Sequence, residues 1–225
     1  MTRHAEKGAL LGAFVFLILS VLLVGLHISG LLISLDQTAF EWVSAIRTDW
    51  LTAFLGMLTF WGGGIALALV GLIVMLVCFC KGQRVEALVI FLTLLSAFLL
   101  NEGMKAYFAR PRPTLFHLVE LPASFSFPSG HAMVGTAFYL LLAVVLHNGL
   151  RDKNWSWLIQ PAAILLVILI ASSRVYLGVH YFSDVICGFS LSIMVYFFSR
   201  FALAQWSDRH RDREAPAVLE SVREG

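Results

Sequence analysis

The sequence predicts an all-α membrane protein: a bundle of six transmembrane helices with both termini in the cytoplasm. Three observations carry this reading. Of 225 residues, 59% are hydrophobic and 13% charged, with a mean hydropathy of +0.84, whereas a soluble domain is about half apolar and about a quarter charged. Apolar runs approaching the ~20 residues of a membrane helix recur six times. The runs are continuous, without the alternation of a barrel strand. The abundance of Leu, Val, Ile and Phe excludes disorder, and a net charge of +2 gives no reason to expect nucleic acid as a partner.

The first run extends from about Ala9 to Leu35 behind Arg3 and Lys7. It is too long for a signal-peptide core and has no small-residue cleavage site, so it reads as an uncleaved helix. Between Asp36 and Leu51 the apolar residues fall near helical spacing, which suggests a short interfacial helix in the first outer loop. The remaining runs span about Phe54 to Cys80, Ala87 to Met104, His131 to Leu146, Leu158 to Ala171 and Val185 to Phe201. Residues 1–207 make one membrane domain, and 208–225 a polar cytoplasmic tail expected to be mobile. Cys78, Cys80 and Cys187 all lie inside apolar runs, which suggests core residues and neither a disulfide nor a metal site.

Orientation follows from Lys and Arg. With the N-terminus inside, eleven fall on the inner side and five on the outer: Arg47, Lys105, Arg110, Arg112 and Arg174. Trp42, Trp50 and Trp61 then mark the outer interface, and Trp155, Trp157 and Trp206 the inner one.

The outer charges gather with unusual polar residues. One stretch runs from Lys105 to Arg110-Pro-Arg112-Pro113, a second is Phe127-Pro128-Ser129-Gly130-His131, and a third runs from Ser173-Arg174 through His180 to Asp184. Each residue alone has a plain reading: an interfacial histidine, a snorkelling lysine, an arginine anchored on lipid phosphates, a helix cap. Three such groups on one predicted face point instead to function. Ser129 and Gly130 open a helix whose free N–H groups favour an anion. Lys105, Arg112 and Arg174 supply cations, and the arginines can grip phosphate oxygens in pairs. His180 and Asp184, four apart, can share a helix face, leaving one ring nitrogen free as nucleophile or base. His131 at the anion site can protonate a leaving oxygen. The chemistry these residues suit is phosphoryl transfer.

This pattern resembles the type 2 phosphatidic acid phosphatase (PAP2) superfamily: Lys, six residues, Arg-Pro; Pro-Ser-Gly-His; and Ser-Arg, five residues, His, three residues, Asp. Lys105 with Arg112-Pro113, Pro128 to His131, and Ser173, Arg174, His180 and Asp184 match it without a gap. The hydropathy resembles the family's six-helix bacterial membrane branch. The resemblance implies a phosphatase acting on a lipid phosphate or diphosphate: undecaprenyl diphosphate, phosphatidylglycerophosphate or phosphatidic acid. No metal, cofactor or obligate protein partner is implied. His180 would attack phosphorus to give a phosphohistidine, Asp184 would orient its ring, and His131 would protonate the leaving group. Lys105, Arg112, Ser129, Gly130 and Arg174 would hold the phosphate oxygens. The site would face outward from a bacterial cytoplasmic membrane. Phe182 and Ser183 stand where many members have Pro-Thr, and Arg110 lies outside the signature, read as a headgroup anchor rather than a contact to a second phosphate. A lipid phosphotransferase would use the same site with another acceptor, and a transporter for anionic lipids or ions is the non-enzymatic alternative. The soluble haloperoxidase relatives do not match so apolar a chain.

Overall fold

A computed structural model describes residues 3–149 and 156–223, with side chains for 6–149 and 156–206. Hydrocarbon offers no partner to backbone N–H and C=O groups, so each apolar run closes its hydrogen bonds within itself. The described residues form eight α-helices and no strand: α1 (Arg3–Ile28), α2 (Ile33–Ala45), α3 (Asp49–Thr59), α4 (Gly64–Cys80), α5 (Arg84–Phe108), α6 (Gly130–Gly149), α7 (Ile159–Tyr176) and α8 (Phe182–Arg223). Five are long and apolar enough to cross a membrane; Asp49–Gly62 and Gly64–Cys80, bent by 52°, add a sixth as one broken span.

Two boundaries differ from the sequence reading. The first apolar run is not one helix. It turns after Ile28 through Gly30, whose φ of +75° suits glycine, and its last residues begin α2. The outer segment is likewise divided, because Thr48 is extended and its side chain accepts from Leu51 N–H to start α3. The tail continues α8 in helical backbone to Arg223, and its side chains lie outside the described residues. So do Arg151, Lys153 and Trp155 of the inner side. Of the three cysteines, Cys78 and Cys187 are buried as expected, whereas Cys80 faces outward.

The sixth helix, α6, is central: 67% of its spanning window is buried, against 17% for α1. It packs on α5, α7 and α8, while α1 lies along α8. Phe138 and Leu141 of α6 meet Ile90 of α5 and Ile170 of α7 in the main core. Lipid tails are as apolar as leucine, so polar contacts help to fix which helices adjoin. Ser20 bonds Ser190 at 2.8 Å between α1 and α8, and Thr93 bonds Ser199 at 2.7 Å between α5 and α8.

One end of the bundle is closed by two non-helical segments, the α5–α6 connection and the short α7–α8 turn. They are stitched together by Leu118 N–H donating to Leu177 O at 2.9 Å. Gly178, at φ +75°, lets them touch, since a Cβ there would collide with the Phe116 carbonyl oxygen. A left-handed non-glycine residue costs about 1–2 kcal/mol before any collision. Gly178→Ala should therefore lower the thermal midpoint of the detergent-solubilised protein, as read by size-exclusion chromatography after heating. An unchanged midpoint would show that the turn can move off Phe116.

Candidate active site

The α7–α8 turn is wound tightly by its own backbone. Arg174 O accepts from Val179 N–H at 3.1 Å and from His180 N–H at 3.2 Å, which folds the His180 ring back into the bundle. Asp184, in the first turn of α8, lies beneath it with Oδ2 at 3.4 Å from His180 Nδ1. The same oxygen accepts from Ser126 Oγ at 2.5 Å and from Tyr181 N–H at 3.0 Å, and Oδ1 accepts from Arg110 Nη1. A carboxylate with no exposed surface thus has donors from the α5–α6 connection and from the turn.

The opposite ring nitrogen determines the tautomer. Arg112 Nη1 lies 3.2 Å from His180 Nε2, and a guanidinium can only donate. Nε2 is therefore the acceptor, and Nδ1 carries the proton directed to Asp184. Burial pushes the His180 pKa down to about 4; Asp184 raises it, and Arg112 and Arg174 lower it further. The ring is neutral at neutral pH, with its lone pair on Nε2. Arg112 also ties the loop to the turn, donating from Nη1 to Val179 O and from Nε to Ser124 O, both at 2.8 Å.

The second histidine sits at the opening of α6. Ser129 N–H donates to Asp184 O at 3.1 Å, and Asn101 Nδ2 of α5 donates to Pro128 O at 3.1 Å, so this helix start is held from two sides. Gly130 sits close to α5: a Cβ would come within 3.2 Å of Asn101 Oδ1, which would have to give by a few tenths of an ångström. His131 packs against the break between α3 and α4, where a Cβ on Gly62 would lie 2.9 Å from its ring. Arg174 is buried, donating from Nη1 to Thr59 Oγ1 at 2.7 Å, while its Nε has no partner. Lys105 pairs with Glu102 at 2.8 Å.

His131, His180, Lys105, Arg112, Gly130 and Arg174 all line one cavity of about 690 Å³. Of the eight residues singled out from sequence, Ser129 and Asp184 lie behind its wall. Ser129 Oγ is buried without a hydrogen-bond partner, and Asp184 reaches the cavity only through His180. From the cluster the cavity continues as an apolar trough between α4 and α5, lined by Leu67, Leu72, Met75, Phe91, Leu94 and Phe98.

Arg110 is not a headgroup anchor. Its guanidinium is drawn inward by two buried carboxylates, Asp184 and Asp36, and lies 3.9 Å over the Tyr181 ring. Sequence reasoning also passed over Asp36, Ser126, Thr59 and Asn101. The available signals were slight: an acidic residue at the end of an apolar run, and a serine between Phe125 and Phe127 two positions before Pro128.

Comparison with known proteins places this geometry among relatives. A family model described as the PAP2 superfamily matches residues 86–208. The chain is 31% identical over 184 residues to phosphatidylglycerophosphatase B of Bacillus subtilis, covering 81% of this chain and 89% of that protein. It is 34% identical over 125 residues to undecaprenyl-diphosphatase of Sulfolobus acidocaldarius, covering 53% and 56%. Among solved structures, the transmembrane PAP2-type phosphatidylglycerolphosphate phosphatase from Bacillus subtilis superposes with a TM-score of 0.78 at 28% identity, covering 84% of this chain and 94% of that one. LpxE of Aquifex aeolicus shares the fold, with a TM-score of 0.60 at 23% identity over 73% and 94%.

The tautomer and titration of His180 can be read without any reaction. In protein labelled with ¹⁵N-histidine, its resonances should show a neutral ring protonated on Nδ1, with a midpoint near 4. A midpoint at the ordinary histidine value of about 6.5, or a proton on Nε2, would contradict the arrangement.

Proposed function

The chain belongs to the PAP2 superfamily and is a multi-pass membrane phosphatase of that type; from this premise we propose that it removes phosphate from a lipid headgroup through a phosphohistidine on His180. The observation that carries the lipid assignment is the shape of the cavity. A cluster of cations and histidines opens directly into an apolar trough, and Leu72, Phe91 and Phe98 on that trough are about half exposed. A phosphate at the cluster and a hydrocarbon chain between α4 and α5 would fill the two ends with one molecule.

The chemistry follows from the atoms present. His180 Nε2 directs its lone pair at phosphorus, and the Arg112 guanidinium beside it would turn to the incoming oxygens. As the N–P bond forms, the bond to the leaving oxygen breaks and His131 supplies that oxygen with a proton. The ring becomes cationic, and the Asp184 carboxylate at Nδ1 stabilises it. Lys105, Arg112, Arg174 and the Gly130 N–H would share the equatorial charge, the dominant contribution in phosphoryl transfer. Water, deprotonated by His131, then attacks the phosphohistidine; phosphate departs and Nε2 regains its lone pair. None of these steps calls on a metal.

The substrates proposed are a prenyl diphosphate and phosphatidylglycerophosphate, matching the names of the two relatives, with phosphatidic acid as a further candidate. The site lies at the end of the bundle that carries Trp42, Trp50 and Trp61, opposite Trp157 and Trp206. Together with the excess of inner Lys and Arg, this supports an outward-facing site in a bacterial cell membrane, with α2 at the interface.

Phosphate release from a prenyl diphosphate by the detergent-purified protein tests the reading. Wild type should be active in EDTA and inhibited by vanadate, a pentacoordinate mimic of the transition state, while His180→Ala should be inactive. Equal release by wild type and His180→Ala would overturn the nucleophile assignment and favour transport; loss of activity in EDTA, restored by Mg²⁺, would overturn the metal-free mechanism. The trough has its own test. Ala68 lines it, so Ala68→Trp should raise KM for a long-chain lipid phosphate by about tenfold or more and leave hydrolysis of a short soluble phosphomonoester unchanged. Equal effects on both substrates would place the hydrocarbon chain elsewhere.

A further inference from the structure

We propose that Arg110 and Asp36 are positioning residues for the nucleophile, Arg110 joining the carboxylates of Asp184 and Asp36 and Asp36 anchoring the start of the helix that carries Asp184. The proposal rests on the reading of His180 as nucleophile. Neither residue lines the substrate cavity, so any effect they have on the reaction passes through Asp184.

The contacts form a closed ring. Arg110 Nη1 donates to Asp184 Oδ1 and, at 2.8 Å, to Ser183 Oγ; its Nη2 donates to Asp36 Oδ2 at 2.8 Å. The Ser183 hydroxyl passes its own proton to Asp36 Oδ2 at 2.7 Å, and Ser183 N–H donates to Asp36 Oδ1 at 2.7 Å. Ser183 is the second residue of α8, where backbone N–H groups have no partner within the helix. Asp36, from α2, therefore acts as a cap supplied in trans, and its negative charge suits the positive end of the helix. Its side chain is only 5% exposed, and that of Arg110 15%.

Two consequences follow for the His180–Asp184 pair. Geometrically, Arg110 holds Oδ1, which leaves Oδ2 to face Nδ1 and stops the carboxylate from rotating away. Electrostatically, it compensates a buried negative charge during the part of the cycle when the ring is neutral. The charged and titratable groups that face His180 are Asp184, Arg112, Arg174 and, across the cavity, His131, with Arg110 and Asp36 beyond Asp184. Without Arg110, the carboxylate would have the imidazole as its main ionic partner, and the imidazolium would be favoured.

The test compares wild type, Arg110→Gln, Arg110→Lys and Asp36→Asn as full-length proteins in one detergent, with kcat and KM resolved between about pH 4 and 8 on the same lipid phosphate. Arg110→Gln should lower kcat by about ten- to a hundredfold, the usual weight of a hydrogen-bonded partner that does not touch substrate. KM should stay within about twofold. The acid limb of kcat/KM, which reports groups of the free enzyme, should move to higher pH. Arg110→Lys should recover part of kcat, and Asp36→Asn should lower kcat by less while moving the limb to lower pH, because it removes a negative charge and leaves Arg110 to Asp184 alone. If Arg110→Gln does not fold, the isosteric Asp36→Asn and the charge-keeping Arg110→Lys still decide. Rates within about twofold of wild type in folded variants, a rise in KM at constant kcat, or a fall in kcat with the limb unmoved would overturn the proposal. A dead His180→Ala beside unaffected Arg110 and Asp36 variants would overturn it alone; an active His180→Ala would remove the nucleophile reading as well.

Discussion

The fold at the active end depends on satisfying one buried carboxylate. Asp184 has no exposed surface, and an unpaired charge there would be strongly unfavourable. It is tolerated because donors converge on its side chain from Ser126, Tyr181, Arg110 and His180, while its backbone carbonyl receives Ser129 N–H. Those contacts join the α5–α6 connection, the α7–α8 turn and the start of α6 at one point. Removing the charge would leave those three pieces of chain to their apolar contacts, among them Phe116, Ala132 and Tyr181 in one cluster. The same residue holds the His180 ring, the proposed nucleophile, so in that reading the stability of this end and its chemistry are not separable.

The break in the second span serves the site in a comparable way. A Cβ on Gly62 would collide with Ile170 and with the His131 ring. Gly62, lacking a Cβ, lets the backbone approach those residues, and Gly62 and Gly64 form part of the cavity wall. Thr59, just before the break, meets Arg174 of α7, so the bend also supplies a partner for a buried cation. The trough then runs down α4 and α5 from this point, so a lipid chain placed there leads its phosphate toward both histidines.

The helices were legible because hydropathy is a property of single segments, and the residues that line the cavity could be singled out because their types and spacing express chemistry directly. What the sequence did not reveal was tertiary. Nothing in the spacing of Asp36 links it to Ser183, 147 positions later, and Thr59 and Ser126 look like ordinary loop or helix residues until the chain is folded. The first apolar run misled for a related reason: length and hydropathy cannot show a turn at Gly30, because the residues after it remain apolar while α2 packs on α7 and α8. Arg110 misled because a lone arginine at a membrane edge ordinarily meets lipid phosphates, and the buried carboxylate that captures it belongs to a distant helix.

Arg110 and Arg112 show how little separation is needed for two like residues to take opposite tasks. They are two positions apart, with Pro111 fixing the backbone between them. Arg112 reaches the Nε2 end of His180 and lines the cavity; Arg110 reaches the carboxylate end of the same dyad and does not. One cation lines the cavity where the proposed substrate would place its phosphate, and the other stands where a negative charge is already buried. Without Arg110 the Asp184 carboxylate would lose its cation, and without Arg112 none would stand beside Nε2. The dyad therefore has a cation at each end, one on its cavity side and one that allows Asp184 to remain charged in the interior.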